Sequence, residues 1–262
     1  VDCTADLMNP AAGLQQFLDA HIPGAIHADL DHDLSAHGTA DAASGGRHPL
    51  PRREVLAQWL RQIGLRTDTQ VVVYDRNGLN FCGRLWWMLK WAGHEAVAVL
   101  DGGLAAWMAS GGAVESGPAT PRAPSDWTLQ PPLRELVTAA DVLAHLDQPD
   151  QTLIDARAAP RYRGEVEPLD PVAGHIPGAL NRPFGLNLDE QGRFKPAATL
   201  RAEFEALLAG RDPASVVHQC GSGVSALPNL LAMEVAGFAP TRLFAGSWSE
   251  WCRDPSRPVA KG

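Results

Sequence analysis

The sequence repeats itself, and that repeat constrains the fold more than any other feature. His21-Ile22-Pro23-Gly24-Ala25 returns as His175-Ile176-Pro177-Gly178-Ala179, and Asp2-Cys3-Thr4 precedes the first copy much as Asp155-Ala156-Arg157 precedes the second. Further along, Val71-Val72-Val73-Tyr74 parallels Val216-Val217-His218-Gln219. Each run leads into a glycine-containing loop and then an apolar segment ending in Ala92-Gly93 or Ala236-Gly237. The halves close alike, with Gly102-Gly103-Leu104-Ala105-Ala106-Trp107 against Gly246-Ser247-Trp248-Ser249-Glu250-Trp251. A pattern carried twice by one chain calls for two like domains, and 262 residues suffice for both. The expected division is residues 1–115, a connector over 116–132 and residues 133–262. The connector holds prolines at 118, 121, 124, 131 and 132 and lacks sustained periodicity, which favours an extended segment, with Trp127 as its candidate anchor.

Within each half, short Val/Leu/Ile runs alternate with helical patterns. Thr152-Leu153-Ile154-Asp155, Ser215-Val216-Val217-His218 and Arg242-Leu243-Phe244 show no polar alternation, as expected of parallel strands covered on both faces. Residues 200–208 are amphipathic at helical spacing, with Gly210 placed to stop the helix. Residues 226–235 are apolar almost all round, which suits a buried helix, and Pro228 falls in the first turn, where a missing N–H costs nothing. The expected class is α/β, twice over, each domain a parallel sheet covered by helices.

Composition narrows the function. A formal net charge of −8 argues against nucleic-acid binding, which needs a basic surface, so an anionic substrate must be held by local Arg or Lys. No run of ~18 apolar residues is present to span a membrane. Val1-Asp2-Cys3-Thr4 has no charged region followed by an apolar stretch, and the sequence starts without methionine inside an expected strand, so a short leading segment is expected before it. Cys3, Cys82, Cys220 and Cys252 form no C-x-x-C pair, a pattern fitting a reducing compartment, here the cytoplasm. The nine histidines show no metal-ligand spacing, so a metal site is not expected.

The chemistry is expected at Gln219-Cys220-Gly221-Ser222-Gly223-Val224-Ser225. This loop follows a buried strand and precedes a buried helix, at the sheet edge where α/β proteins bind ligands. Gly221 and Gly223 let the backbone curl so that successive N–H groups face inward as an anion-binding nest, and the helix N-terminus adds its positive end. A cysteine at the mouth of such a cradle is favoured as thiolate, the nucleophilic form. The plainer alternative is a small buried cysteine with the glycines serving only as a turn.

At this loop the chain becomes recognisable. Cys220-Gly221-Ser222-Gly223-Val224-Ser225 resembles the active loop of the 3-mercaptopyruvate sulfurtransferases, within the rhodanese superfamily. The resemblance extends to both His-Ile-Pro-Gly-Ala segments, to Asp101-Gly102-Gly103-Leu104-Ala105-Ala106-Trp107 and to Gly246-Ser247-Trp248-Ser249-Glu250-Trp251. It implies two rhodanese domains, the first inactive and the second catalytic. Asp75 stands where the second half has Cys220, and a carboxylate cannot carry sulfane sulfur. The resemblance further makes Arg161 the residue that grips the anionic end of the substrate. Relatives carry a second substrate arginine near the position of Leu169, leaving Arg182 or Lys195 as substitutes. It also joins His48 and Asp31 to Ser222 as a proton relay, and gives Gly221, Gly223, Val224 and Ser225 to the substrate cradle. Trp86, Trp87 and Trp91 are read as core, Cys3, Cys82 and Cys252 as inert, and His21 and His175 as turn-holding. Asp155 and Arg157 are read as tying adjacent loops.

The expected reaction is double displacement, needing no metal or organic cofactor: Cys220 takes sulfur from a small-molecule donor as a persulfide and passes it to a small thiol, a thioredoxin-like protein or cyanide. The uncharged loop favours 3-mercaptopyruvate, with its anion bound further off, over thiosulfate, the donor of thiosulfate:cyanide sulfurtransferases. Rhodanese-like phosphatases need an arginine after the loop, where this chain has Ala226. A non-catalytic sulfur-carrier module is the remaining alternative.

Overall fold

The computed structural model describes residues 1–38 and 40–262, which divide into two compact units. The first comprises residues 1–43, 51–133 and 190–193, the second residues 44–50, 134–189 and 194–262. Two short segments thus belong with the opposite half of the chain, and the expected connector belongs to the first unit. There Trp127 is buried, its ring edge-on to His94 at 6.3 Å, while Ser125 N–H donates to Arg61 O and Gln130 N–H to Ala92 O. The connector therefore packs as part of the unit.

The first unit runs α1 (Ala11–Asp19), α2 (Arg53–Gln62), β1 (Val71–Val73), α3 (Cys82–Trp91), β2 (Val97–Val99) and α4 (Gly103–Ala109). β1 and β2 pair in parallel, Val71 opposite Val97, and Asp2 bridges in parallel to both His27 and Tyr74. α3 is buried from Cys82 to Leu89 and again at Trp91, so Trp86, Trp87 and Trp91 are core residues. His21 stacks on Phe17 with ring centroids 3.9 Å apart and bonds its carbonyl through Nδ1.

The second unit runs α5 (Ala139–Ala144), β3 (Thr152–Asp155), α6 (Ala159–Tyr162), β4 (Leu180–Asn181), α7 (Ala197–Leu208), β5 (Val216–Gln219), α8 (Leu227–Val235), β6 (Arg242–Leu243) and α9 (Ser247–Trp251). The strands form a parallel sheet in the order β4-β3-β5-β6. Alternate strand residues feed opposite cores. Leu153 and Val217 join Val142, Ile176, Phe244, Trp248 and Trp251 on one side, and Ile154 and Val216 join Leu200, Phe204, Leu208, Ala232 and Met233 on the other. That double burial is why the strands read as unbroken apolar runs. α7 ends where Ala209 and then Gly210 turn left-handed. α8 is buried continuously from Leu227 to Met233, with Pro228 in its first turn. His175 stacks on Tyr162 at 3.8 Å and bonds its carbonyl, repeating His21 on Phe17. The duplication thus survives in side-chain detail. No described helix is long and apolar enough to cross a membrane.

Candidate active site

β5 lies between β3 and β6, and all four of its residues are buried. Its carboxyl end delivers Cys220, 1% exposed, to the sheet edge, and α8 opens seven residues later at Leu227. Gly223 is required between them. Its φ is +74°, and a Cβ there would lie 2.2 Å from the Ala245 carbonyl oxygen. The loop is then fastened to the start of α9. Cys220 N–H donates to Ser247 Oγ (3.1 Å), Trp248 N–H to Cys220 O (3.0 Å) and Ser249 N–H to Gly221 O (2.9 Å). Ser247 holds φ +54°, unusual for a residue with a side chain, and its hydroxyl also donates to Phe244 O. Hydrogen bonding to two backbone groups holds it there.

The first unit displays what such a loop binds. At Asp75, the counterpart of Cys220, one carboxylate oxygen accepts the N–H groups of Asn77 (2.8 Å) and Leu79 (3.0 Å), and the other those of Phe81 (2.8 Å) and Cys82 (2.9 Å). Four backbone donors converge on an anion. Asp75 stands as far before the start of α3 as Cys220 stands before the start of α8, seven residues in each case.

Around Cys220 the second unit assembles a polar cluster. His48, on the segment 44–50, brings Nδ1 to 2.7 Å from Ser222 Oγ, and both residues are buried. Arg161, at the end of α6, bonds Glu167 through Nε (3.2 Å) and Nη2 (2.6 Å), with Nη2 also 3.4 Å from Asp170. Glu167 also receives Arg157 (3.4 Å), whose fork grips Asp155 at 2.6 Å and the Gly174 carbonyl at 2.8 Å. Arg157 and Asp155 thus tie adjacent loops. Burial works against the Arg157 charge, but Asp155 and Glu167 override it and hold its pKa above the ordinary value, with Cys220 acting in the same direction. Asp170 is pushed above the usual carboxylate range by burial, against the pull of Arg47 and Arg161.

The remaining expected site residues have surroundings of their own. Val224 is buried and Ser225 half-buried within the loop, where Leu227 N–H donates to Val224 O. Asp31 belongs to the first unit, its Oδ1 3.0 Å from His37 Nε2. Arg182, expected as a substitute substrate arginine, has partners of its own. It is buried, bonded to Asn187 (2.9 Å) and Glu203 (2.7 Å), and seated over the Phe204 ring at 4.3 Å, where it fastens α7. Lys195 shares Glu203 (2.8 Å). Both cations are drawn to one carboxylate on α7. Sequence reasoning missed Arg47, next to His48, and the carboxylates Glu167 and Asp170. The density of charges over residues 157–170 could have signalled the two carboxylates, whereas nothing adjacent in sequence signals Arg47. The other three cysteines are free and buried, and among the described residues no His/Cys/Asp/Glu group is arranged to hold a metal.

Known proteins resemble this chain in sequence and fold. The rhodanese-like domain matches twice, over residues 4–110 and 138–254. A probable 3-mercaptopyruvate sulfurtransferase of Pseudomonas aeruginosa is 51% identical, covering 100% of this chain and 92% of its own length. A putative thiosulfate sulfurtransferase, SseB, of Mycobacterium tuberculosis is 42% identical over 95% of this chain and 86% of its own. Among solved structures, the 3-mercaptopyruvate sulfurtransferase of Leishmania major superposes with a TM-score of 0.82 at 31% identity, covering 96% of this chain and 69% of that one.

Proposed function

The chain belongs to the rhodanese family, as a sulfurtransferase with two rhodanese-like domains, and from that premise we propose that it moves sulfane sulfur from 3-mercaptopyruvate to a thiol through a persulfide on Cys220. The Cys220 thiolate attacks the thiol sulfur of the donor. The donor's carbon–sulfur bond breaks, and its electron pair leaves with the pyruvate enolate. The donor's S–H proton ends on the enolate's methylene carbon, delivered by Ser222 with His48 taking and returning it. The products are pyruvate and a Cys220 persulfide anion, which the loop N–H groups would hold as those of the first unit hold the Asp75 carboxylate. An acceptor thiolate or cyanide then attacks the outer sulfur and frees Cys220. Cysteines that are all unpaired fit a reducing cytoplasm.

The observation that carries the choice of donor is the 2.7 Å contact between His48 Nδ1 and Ser222 Oγ, two residues from Cys220. An enolate leaving group needs a proton. Sulfite, left by thiosulfate, does not. Thiosulfate is the second reading, favoured by the two guanidinium groups beside Gly221, which suit a dianion. Ser222→Ala tests the choice. Persulfide formation from 3-mercaptopyruvate should slow by roughly 100-fold, within the range of general acid–base contributions, and formation from thiosulfate by far less. Equal slowing with both donors, or faster loading of the wild type by thiosulfate, would overturn it.

A further inference from the structure

Position 247 departs from its counterpart in the first half of the chain. The repeat sets Gly246-Ser247-Trp248 against Gly102-Gly103-Leu104. Both central residues turn left-handed, Gly103 at φ +58° and Ser247 at φ +54°. Glycine adopts that conformation freely, whereas a Cβ makes it unfavourable. Ser247 nonetheless keeps a side chain there, fully buried. We propose that Ser247 is a positioning residue for sulfur transfer, fixing the main chain of Cys220 so that the sulfur it carries meets the loop N–H groups. The inference rests on the reading of Cys220 as the sulfur acceptor.

Cys220 is held at both of its main-chain polar groups by two successive residues. Ser247 Oγ accepts its N–H at 3.1 Å, and Trp248 N–H donates to its carbonyl at 3.0 Å. The hydroxyl proton is also engaged, donated to Phe244 O at 3.0 Å, which turns the oxygen's lone pairs toward the Cys220 N–H. In the first unit the carbonyl contact has its counterpart, Leu104 N–H to Asp75 O at 3.2 Å, whereas Gly103 has no side chain to accept an N–H.

The spacing differs as well. A Cβ built on Gly103 would lie 2.1 Å from Asp75 O, inside the 3.0 Å below which real Cβ atoms are essentially never found. Ser247 carries a Cβ on a backbone of nearly the same φ, so the Cys220 carbonyl has to stand further from it than the Asp75 carbonyl stands from that position. The two anions call for such a difference. The Asp75 carboxylate ends in carbon–oxygen bonds of ~1.2 Å and a Cys220 persulfide in a sulfur–sulfur bond of ~2.0 Å, so the persulfide reaches further from its own Cβ. Two loops of like length can offer their N–H groups to both anions only if the two main chains are set differently. Ser247 supplies that difference from α9: its Cβ sets off the Cys220 carbonyl, and its hydroxyl holds the N–H.

The test uses the full chain and three readings: loading of Cys220 by 3-mercaptopyruvate in a single turnover without acceptor, alkylation of Cys220 by iodoacetamide, and the thermal midpoint. Ser247→Gly suits the left-handed backbone, so its Tm should stay close to the parent's, the relieved backbone offsetting the lost hydrogen bond. Its loading rate at saturating donor should nonetheless fall roughly three- to tenfold, on the scale of one hydrogen bond, with the half-saturating donor concentration unchanged. Alkylation should slow by about threefold, because a sulfur displaced from the loop N–H groups is less often thiolate. Ser247→Ala keeps the Cβ without the acceptor and should load at an intermediate rate. Loading and alkylation at the parent's rates in Ser247→Gly would overturn the proposal. So would slower loading joined to a clearly lower Tm and faster alkylation, the pattern of a loosened fold that exposes Cys220. Alkylation needs no donor, so it judges Ser247 even if 3-mercaptopyruvate loads no sulfur on the parent, a result that would count against the Cys220 reading alone.

Discussion

Position 75 in the first half carries a carboxylate where the second half carries the thiol of Cys220, and the exchange has a structural consequence as well as a catalytic one. Asp75 satisfies four backbone donors by itself. Its loop is therefore a filled nest, complete without ligand. Asp75→Ala would leave those buried N–H groups without their acceptor, and unfolding in urea should show a loss of about 2–4 kcal/mol, given ~1–3 kcal/mol for each buried donor left unpaired and some recovery by entering water. Asp75→Asn keeps one acceptor oxygen and should lose less. If Asp75→Ala is as stable as the parent, the carboxylate does not hold the loop together.

Among the elements, β5 and the loop after it were the most legible. An apolar run ending in a cysteine and two spaced glycines has its cause in local chemistry, so β5, α8 and the turn at Gly223 follow from a few adjacent residues. Arg47 was not legible, because its partner Asp170 lies 123 positions away in sequence. The setting of Arg182 was not legible for the same reason: nothing near it in sequence announces Glu203 or the Phe204 ring. β5 also holds an element-scale liability. His218 is fully buried, neither ring nitrogen has a hydrogen-bond partner among the described residues, and burial pushes its pKa down to about 3. In the unfolded chain the imidazole takes a proton as pH falls below 6.5, whereas in the folded strand it stays neutral until about 3. Stability is therefore complete above 6.5 and drains away as pH falls between those values, by at most ~1.4 kcal/mol per pH unit. Urea midpoints measured at pH 7 and pH 4.5 should fall further for the parent than for His218→Leu. Parallel declines would mean that His218 is protonated in the fold or hydrated.

At the scale of the whole molecule, the duplication gives one fold two uses. Each unit builds a parallel sheet, a strand-end loop and a buried helix, and only the second places a thiol in the loop. The two-domain organisation was plain from the repeated His-Ile-Pro-Gly-Ala segments. The assignment of residues 44–50 to the second unit was not, since short segments change allegiance through packing that no local pattern records. The central claim is that all sulfur passes through Cys220, and intact mass followed by peptide mapping after brief exposure to 3-mercaptopyruvate without acceptor tests it most directly. The parent, Cys82→Ser and Cys252→Ser should each gain one sulfur atom, located on Cys220 and removed by added thiol, while Cys220→Ser gains none and turns over no donor. Sulfur found on another cysteine, or substantial transfer by Cys220→Ser, would contradict it.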